Sequence, residues 1–136
     1  MESQNMSEKT YRIWNLSVGW TVFAVALFTF GSTVEPTASF WDAGEYIATS
    51  AKLQIGHPPG APFFQMMGAF FALFASSPEK VALMVNSMSV FSSAFAILFL
   101  FWTLTLLLQK LPSFKSLDTL TDRIGFFGSA AVGALA

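Results

Sequence analysis

Hydrophobic residues are concentrated in four stretches of the chain, and the short segments between them carry most of the charges. A helix needs about 20 apolar residues to cross the ~30 Å hydrocarbon core of a bilayer. The first and third stretches exceed this length, the second, interrupted by Gln65, barely reaches it, and the fourth is shorter. The pattern predicts transmembrane helices at 13–34, 58–77 and 81–108, and the start of a truncated fourth one at 124–136.

The basic residues bear on the orientation of these helices. Lys9 and Arg12 precede the first stretch, and cytoplasmic segments are enriched in Lys and Arg, so residues 1–12 are predicted to be a cytoplasmic tail. Three crossings would place the loop at 109–123 outside, although it carries the cations Lys110, Lys115 and Arg123. A second stretch that re-enters the same side would remove this conflict. Charge alone therefore leaves the topology open.

Composition agrees with a membrane protein and limits its chemistry. Hydrophobic residues make up 54% of the 136 residues and charged residues 11%, against about 25% charged residues in a typical soluble domain. The net charge of −1 leaves no basic segment for nucleic acid. With no cysteine and a single histidine, we expect neither a metal site nor a cofactor. The predicted fold class is an all-α membrane protein.

The loop at residues 35–57 contains a pattern typical of a helix start. Asp42 and Glu45 are three residues apart and fit a capping box in which Asp42 is the N-cap. Trp41 and Tyr46 fit the hydrophobic staple that accompanies such a box. This interpretation explains both acids as parts of a helix cap.

A short helix is predicted to follow, from Ala43 to about Gln54, with Gly56 at its C-terminal end. Lys52 would reach toward lipid head groups from this helix. Several apolar side chains of the helix would rest in the membrane interface: Tyr46, Ile47, Ala51 and Leu53. The loop is thus predicted to carry an interfacial helix.

The next residues are the only histidine and a proline pair, His57, Pro58, Pro59 and Gly60. In a structural interpretation the prolines make a stiff start to the second span, and Gly60 allows a close approach to the backbone. In a functional interpretation, two carboxylates and an imidazole bracket one helix at the membrane edge, where ionisable groups are costly and often functional. They would suit a substrate with its head group at the surface and its tail in lipid.

This combination resembles the membrane glycosyltransferases of the GT-C fold. The stretch WDAGEYIATSAKLQIGHPPGAPFFQMMGAFFALF, residues 41–74, is similar to the protein O-mannosyltransferase family whose animal member is transmembrane protein 260. That family typically shows Asp-x-Gly-Glu, a short helix, and then His-Pro-Pro-Gly-x-Pro. The matching positions here are Asp42, Gly44, Glu45, His57, Pro58, Pro59, Gly60 and Pro62.

The resemblance implies the N-terminal helices of a GT-C fold in the bacterial inner membrane or the endoplasmic reticulum membrane, with the loop extracytoplasmic and the second stretch a true span. It implies inverting transfer of a sugar, mannose, from a polyprenyl-phosphate carrier to Ser or Thr of an exported protein. Asp42 and Glu45 would be catalytic, one carboxylate taking the proton of the acceptor hydroxyl. The implied substrate-binding residues are His57, Pro58, Pro59, Gly60 and Lys52.

Two other interpretations stay open at this point. Family members are several times longer than this chain, so we expect it to be inactive alone. A non-catalytic membrane subunit or assembly factor with the same fold is the main alternative. A transporter half is a weaker one, because its polar groups should lie at mid-membrane on broken helices rather than in the first loop.

Overall fold

The computed structural model describes residues 6–114 and 116–136, and that part of the chain contains helices and no strand. Residues 1–5 of the predicted tail and Lys115 lie outside the described residues. The all-α prediction is confirmed. The α-helices are α1 (Glu8–Ser32), α2 (Ala43–Lys52), α3 (Pro62–Ala72), α4 (Val81–Leu108) and α5 (Leu120–Leu135), with single 3₁₀ turns at Pro78–Lys80 and Pro112–Phe114.

Two of these helices, α1 and the helical stretch Pro78–Leu108 that contains α4, are long and apolar enough to cross a membrane. Most residues of their apolar parts are not buried within the chain, which differs from the core helix of a soluble protein. The bounds of α4 are those predicted, whereas α1 begins earlier than predicted, at Glu8. The hydroxyl of Ser7 accepts a hydrogen bond from the Thr10 amide over 3.2 Å, as an N-cap does.

The predicted span at 58–77 is not matched by a helix of spanning length. Helix α3 has 11 residues, which at 1.5 Å per residue is about 17 Å, roughly half of the hydrocarbon core. Its start is fixed by Pro62 at the first helical position. Beyond its end the chain is extended at Ser77 (φ −157°, ψ 160°), since the residue before a proline avoids helical geometry.

The chain divides into two compact units, and the first comprises Met1–Phe28 and Ser93–Ala136. In this unit α1 runs antiparallel to α4. A Cβ at Gly19 would lie 2.8 Å from Nε1 of Trp102, and the rings of Phe23 and Phe95 are 4.7 Å apart. Buried side chains of the unit form one hydrophobic cluster: Val22, Phe101, Leu117, Phe126, Phe127, Ala130 and Ala134.

Helix α5 of the first unit begins with a capping box that the sequence analysis missed. The Thr119 hydroxyl accepts from the Asp122 amide over 3.1 Å, and the Asp122 carboxylate accepts from the Thr119 amide over 3.1 Å. The helix therefore begins at Leu120, before the predicted start at residue 124.

The second unit comprises Thr29–Ser92. Here α2 and α3 cross at Ser50 and Gly68, where a Cβ on Gly68 would lie 2.6 Å from the Ser50 hydroxyl oxygen. The side-chain amide of Asn86, in the second turn of α4, donates to the carbonyl of Glu35 over 2.8 Å and to that of Thr37 over 3.1 Å. The loop that follows α1 is thus tied to the beginning of α4.

Candidate functional site

The predicted capping box at the start of α2 does not form. Asp42 occupies the N-cap position, but its φ and ψ are helical (−77°, −3°), and its carboxylate accepts no capping hydrogen bond from the described residues. Trp41 is 94% exposed, so the predicted staple with Tyr46 is wrong as well. The reason lies in Glu45, whose carboxylate is engaged elsewhere.

Glu45 holds His57, which lies twelve residues further along the chain. One carboxylate oxygen accepts the His57 backbone N–H over 2.7 Å, and the other lies 2.8 Å from His57 Nδ1. The hydrogen bond and the charge of Glu45 raise the pKa of His57 above its ordinary value. The backbone N–H and then the ring of His57 lower the pKa of Glu45. The geometry therefore favours a carboxylate–imidazolium pair whose Nε2 edge remains for a ligand.

Three neighbours from α2, α3 and the loop between them set the position of Glu45. The Thr49 hydroxyl donates to the Glu45 carbonyl over 2.8 Å, and the Gln65 amide donates to the Thr49 hydroxyl over 3.2 Å. A Cβ at Gly56 would lie 3.0 Å from a Glu45 carboxylate oxygen and 3.2 Å from the Gln65 side-chain nitrogen. Gln65 and Thr49 are buried, so this polar contact is largely shielded from water.

The predicted role of Gly56 at the end of the helix is wrong. Helix α2 ends at Lys52, and Leu53 is the C-cap in a left-handed conformation (φ 49°), with its N–H bonded to the Ser50 carbonyl over 3.2 Å. Gly56 is instead required for the close approach to Glu45. Sequence reasoning gave Gln65 only as an interruption of an apolar stretch. A buried amide in such a stretch is itself a signal, because it needs a polar partner.

Aromatic rings and the proline pair border the Glu45–His57 pair. The Tyr46 ring contacts the His57 ring edge-on at 6.5 Å. The peptide between Pro58 and Pro59 is cis. The Gly60 amide donates to the His57 carbonyl over 2.9 Å, which closes a turn, and Gly60 has φ +78°, a conformation that favours glycine. The predicted loop residues therefore shape the backbone immediately after the histidine.

The other two predicted site residues, Asp42 and Lys52, are not bonded to the Glu45–His57 pair. Asp42 is exposed and accepts no side-chain hydrogen bond within 6–114 and 116–136, but it lies close enough to His57 for its charge to raise the pKa of that residue slightly. Lys52 is exposed at the end of α2. It forms no ion pair with a described residue. The site that the structure assembles thus consists of Glu45 and His57, with Asp42 nearby, and no contact brings Lys52 to it.

Comparison with known proteins places this site in a family. Residues 42–136 match the family described as the Protein O-mannosyl-transferase TMEM260 N-terminal domain. A Dictyostelium discoideum protein named Protein O-mannosyl-transferase tmem260 is 30% identical over 86 residues, which cover 62% of this chain and 10% of that protein. No solved structure matches, so the GT-C fold stays a prediction. The matched region contains Asp42, Glu45 and His57, and the chain belongs to the family of TMEM260 N-terminal domains.

Proposed function

We propose that the chain is the N-terminal membrane module of a glycosyltransferase that moves mannose from a polyprenyl-phosphate carrier to Ser or Thr of an exported protein. Family membership supports the reaction class. The observation that carries the proposal is the contrast between two neighbouring acids. Glu45 has both oxygens occupied by His57, whereas Asp42 offers an exposed carboxylate without a partner among the described residues.

Asp42 is the general base in this scheme. A hydroxyl becomes a sufficient nucleophile when a positioned carboxylate takes its proton during attack. The hydroxyl oxygen forms the new bond to the anomeric carbon, the bond from that carbon to the carrier phosphate breaks, and the phosphate leaves with the electron pair. The proton goes to Asp42. A single displacement inverts the anomeric carbon and needs one base only.

His57 meets the charge that develops on the departing phosphate. Its Nδ1 is occupied by Glu45, so the opposite ring nitrogen faces outward from the pair. Because Glu45 raises the pKa of His57, that nitrogen more often carries a proton and can donate a charge-assisted hydrogen bond to phosphate. Glu45 is therefore a positioning residue in this scheme, which differs from the catalytic role predicted for it from the sequence. Pro58, Pro59 and Gly60 fix the backbone beside the imidazole.

The experiment is Asp42→Asn in the intact membrane protein, assayed with polyprenyl-phosphate mannose and an acceptor peptide. The expected loss of transfer is on the order of 10² to 10⁴, the usual contribution of a positioned base, with thermal stability close to wild type. Asp118→Asn, which changes an exposed acid of the first unit, is the control and should keep full activity. Undiminished transfer by Asp42→Asn would favour the non-catalytic subunit or assembly factor, or a base elsewhere in the protein.

A further inference from the structure

Gln65 lies between the two segments that carry the Glu45–His57 pair. Its side chain is buried, and its amide nitrogen donates to the Thr49 hydroxyl of α2 over 3.2 Å. The same nitrogen would lie 3.2 Å from a Cβ placed on Gly56, the residue directly before His57. One buried amide of α3 therefore contacts both α2, one turn after Glu45, and the loop that leads to the histidine. All of these residues belong to the second unit.

The contact with Thr49 reaches Glu45 through the helix backbone. The Thr49 hydroxyl donates to the Glu45 carbonyl over 2.8 Å and accepts from the Gln65 amide, so both of its functions are used and its direction is fixed. Thr49 and Gln65 are only 8% and 7% exposed, and a shielded hydrogen bond is costly to break from one side alone. Gln65 thus fixes where the beginning of α3 meets the turn of α2 that carries Glu45.

A second line of contacts from α3 ends at the same histidine. Phe64, the neighbour of Gln65, packs its ring against the Tyr46 ring with the centroids 5.2 Å apart. The Tyr46 ring in turn contacts the His57 ring at 6.5 Å, and Tyr46 directly follows Glu45 in α2. Two adjacent residues of α3 are therefore connected, through two adjacent residues of α2, to one imidazole.

The two lines of contact restrict different motions of the imidazole. The hydrogen bond to Glu45 sets which ring nitrogen faces the protein, and the contact with Tyr46 limits rotation of the ring plane. His57 is exposed, so the direction of its ring depends on these few contacts. A donor stabilises a developing charge best when its direction is fixed before the reaction, and a misplacement of about 1 Å can cost on the order of 10²-fold in rate.

We propose that the beginning of α3 positions the His57 imidazole, with Gln65 as the main positioning residue and Phe64 as its support. Each of these side chains acts through a residue of α2 and not by touching the substrate. The consequence for sugar transfer rests on the proposed function, in which His57 meets the departing phosphate. The direction of the imidazole does not rest on it and is measured separately.

The test replaces both partners of the buried hydrogen bond in the intact protein. Exchanging both for apolar groups of similar shape can leave stability almost unchanged, so the double variant Thr49→Val with Gln65→Met separates positioning from folding. We expect a melting temperature close to that of wild type and a kcat lower by about 10-fold to 10²-fold. KM should change little, because the direction of His57 matters most when charge develops in the transition state.

Nitrogen-15 NMR of histidine-labelled protein reads the imidazole directly, at alkaline pH where the ring is neutral. The His57 signals are those missing from His57→Gln. Because Nδ1 faces the Glu45 carboxylate, the wild-type ring should carry its proton on Nδ1, and the tautomer protonated on Nε2 should increase in the double variant. An unchanged tautomer ratio would overturn the inference. A changed ratio with undiminished transfer would support the inference and contradict the role of His57 in the proposed function.

Gly68→Ala is the control for a general loosening of the contact between α2 and α3. The atoms nearest to a Cβ at Gly68 belong to Ser50 and Val85, so this variant strains the helix contact away from His57. It should lower the melting temperature and keep the wild-type tautomer ratio. The same change of tautomers in Gly68→Ala would contradict a specific role of Gln65. If the double variant folds poorly, Gln65→Met alone is measured in its place, with the same expectation for the tautomers.

Discussion

Glu45 and His57 are joined twice, once through the backbone and once through the ring. The carboxylate accepts the His57 backbone N–H at 2.7 Å and lies 2.8 Å from Nδ1. The first contact does not depend on the charge of the imidazole, and the second does. The backbone contact fixes where the loop turns, whereas the ring contact sets the protonation and direction of His57.

The ring contact predicts how transfer depends on pH. Glu45 raises the pKa of His57, so the protonated donor persists to higher pH than it would in a free histidine. In Glu45→Gln that support is lost, and we expect the alkaline limb of the rate profile to move to lower pH, with a smaller loss at acid pH. Glu79→Gln, which changes an exposed acid of the second unit, is the control. An unchanged alkaline limb in Glu45→Gln would exclude His57 as the charged donor.

The same pair predicts the pH dependence of stability. The folded-state pKa of Glu45 is lowered from 4.5, so its contribution is present above that value and is lost as pH falls through the folded pKa. The folded-state pKa of His57 is raised from 6.5, so its contribution is present below that value and is lost as pH rises through the folded pKa. The difference in melting temperature between wild type and His57→Gln should therefore be largest between pH 4.5 and 6.5. A constant difference from acid to alkaline pH would show that the charge of the His57 ring contributes nothing to stability, because the backbone contact is kept in the variant.

A side chain at Gly56 is predicted to be destabilising. A methyl group there would lie 3.0 Å from the Glu45 carboxylate and 3.2 Å from the Gln65 amide, so Gly56→Ala must displace one of them. We expect a loss of about 1–3 kcal/mol in unfolding free energy, as for overpacking elsewhere. Transfer should fall together with stability.

Gly31→Ala is the matched control for Gly56→Ala. Gly31 also belongs to the second unit, and no described atom lies within 4 Å of a Cβ placed there. Because alanine is the better helix former, this variant should be neutral or slightly stabilised in thermal unfolding. Equal effects of the two substitutions would refute a steric role for Gly56.

The sequence predicted local features and missed those that depend on distant partners. The bounds of α4 follow from a long, mostly apolar stretch without charged residues between Val81 and Leu108. Capping boxes were harder to predict from the sequence. Thr119 and Asp122 form one, whereas Asp42 and Glu45 do not. The difference is the bond from Glu45 to a residue twelve positions away, and no local pattern contains that information.

The helix in the second predicted span is shorter than predicted for a related reason. Length and hydropathy are properties of a segment, whereas the position of α3 depends on contacts made by other segments. The side-chain amide of Gln65 donates a hydrogen bond to Thr49 of α2. Asn86 of α4 donates a hydrogen bond to the Glu35 carbonyl in the loop after α1.

Asn86 gives the last prediction, because it is the residue that ties the loop after α1 to α4. Its amide donates to two carbonyls, those of Glu35 and Thr37. In Asn86→Asp the shape is kept, but an ionised carboxylate cannot donate and faces two carbonyl oxygens. Two lost hydrogen bonds at about 0.5–1.5 kcal/mol each predict a loss of about 1–3 kcal/mol in unfolding free energy at neutral pH. Differential scanning fluorimetry in detergent measures this loss as a lower melting temperature.

Unfolding measured at acid pH distinguishes a loss of hydrogen bonds from a loss of packing in Asn86→Asp. A protonated carboxyl group donates one hydrogen bond, so the deficit of Asn86→Asp relative to wild type should shrink as pH falls toward the ordinary pKa of an aspartic acid, about 3.9. The neighbouring Ser87 bonds only the Leu83 carbonyl of its own helix among the described residues, and Ser87→Ala should stay within about 0.5 kcal/mol of wild type at every pH. A deficit that is independent of pH would mean that Asn86 contributes by packing rather than by donating to the loop, and the link between the end of α1 and the beginning of α4 would then need another explanation.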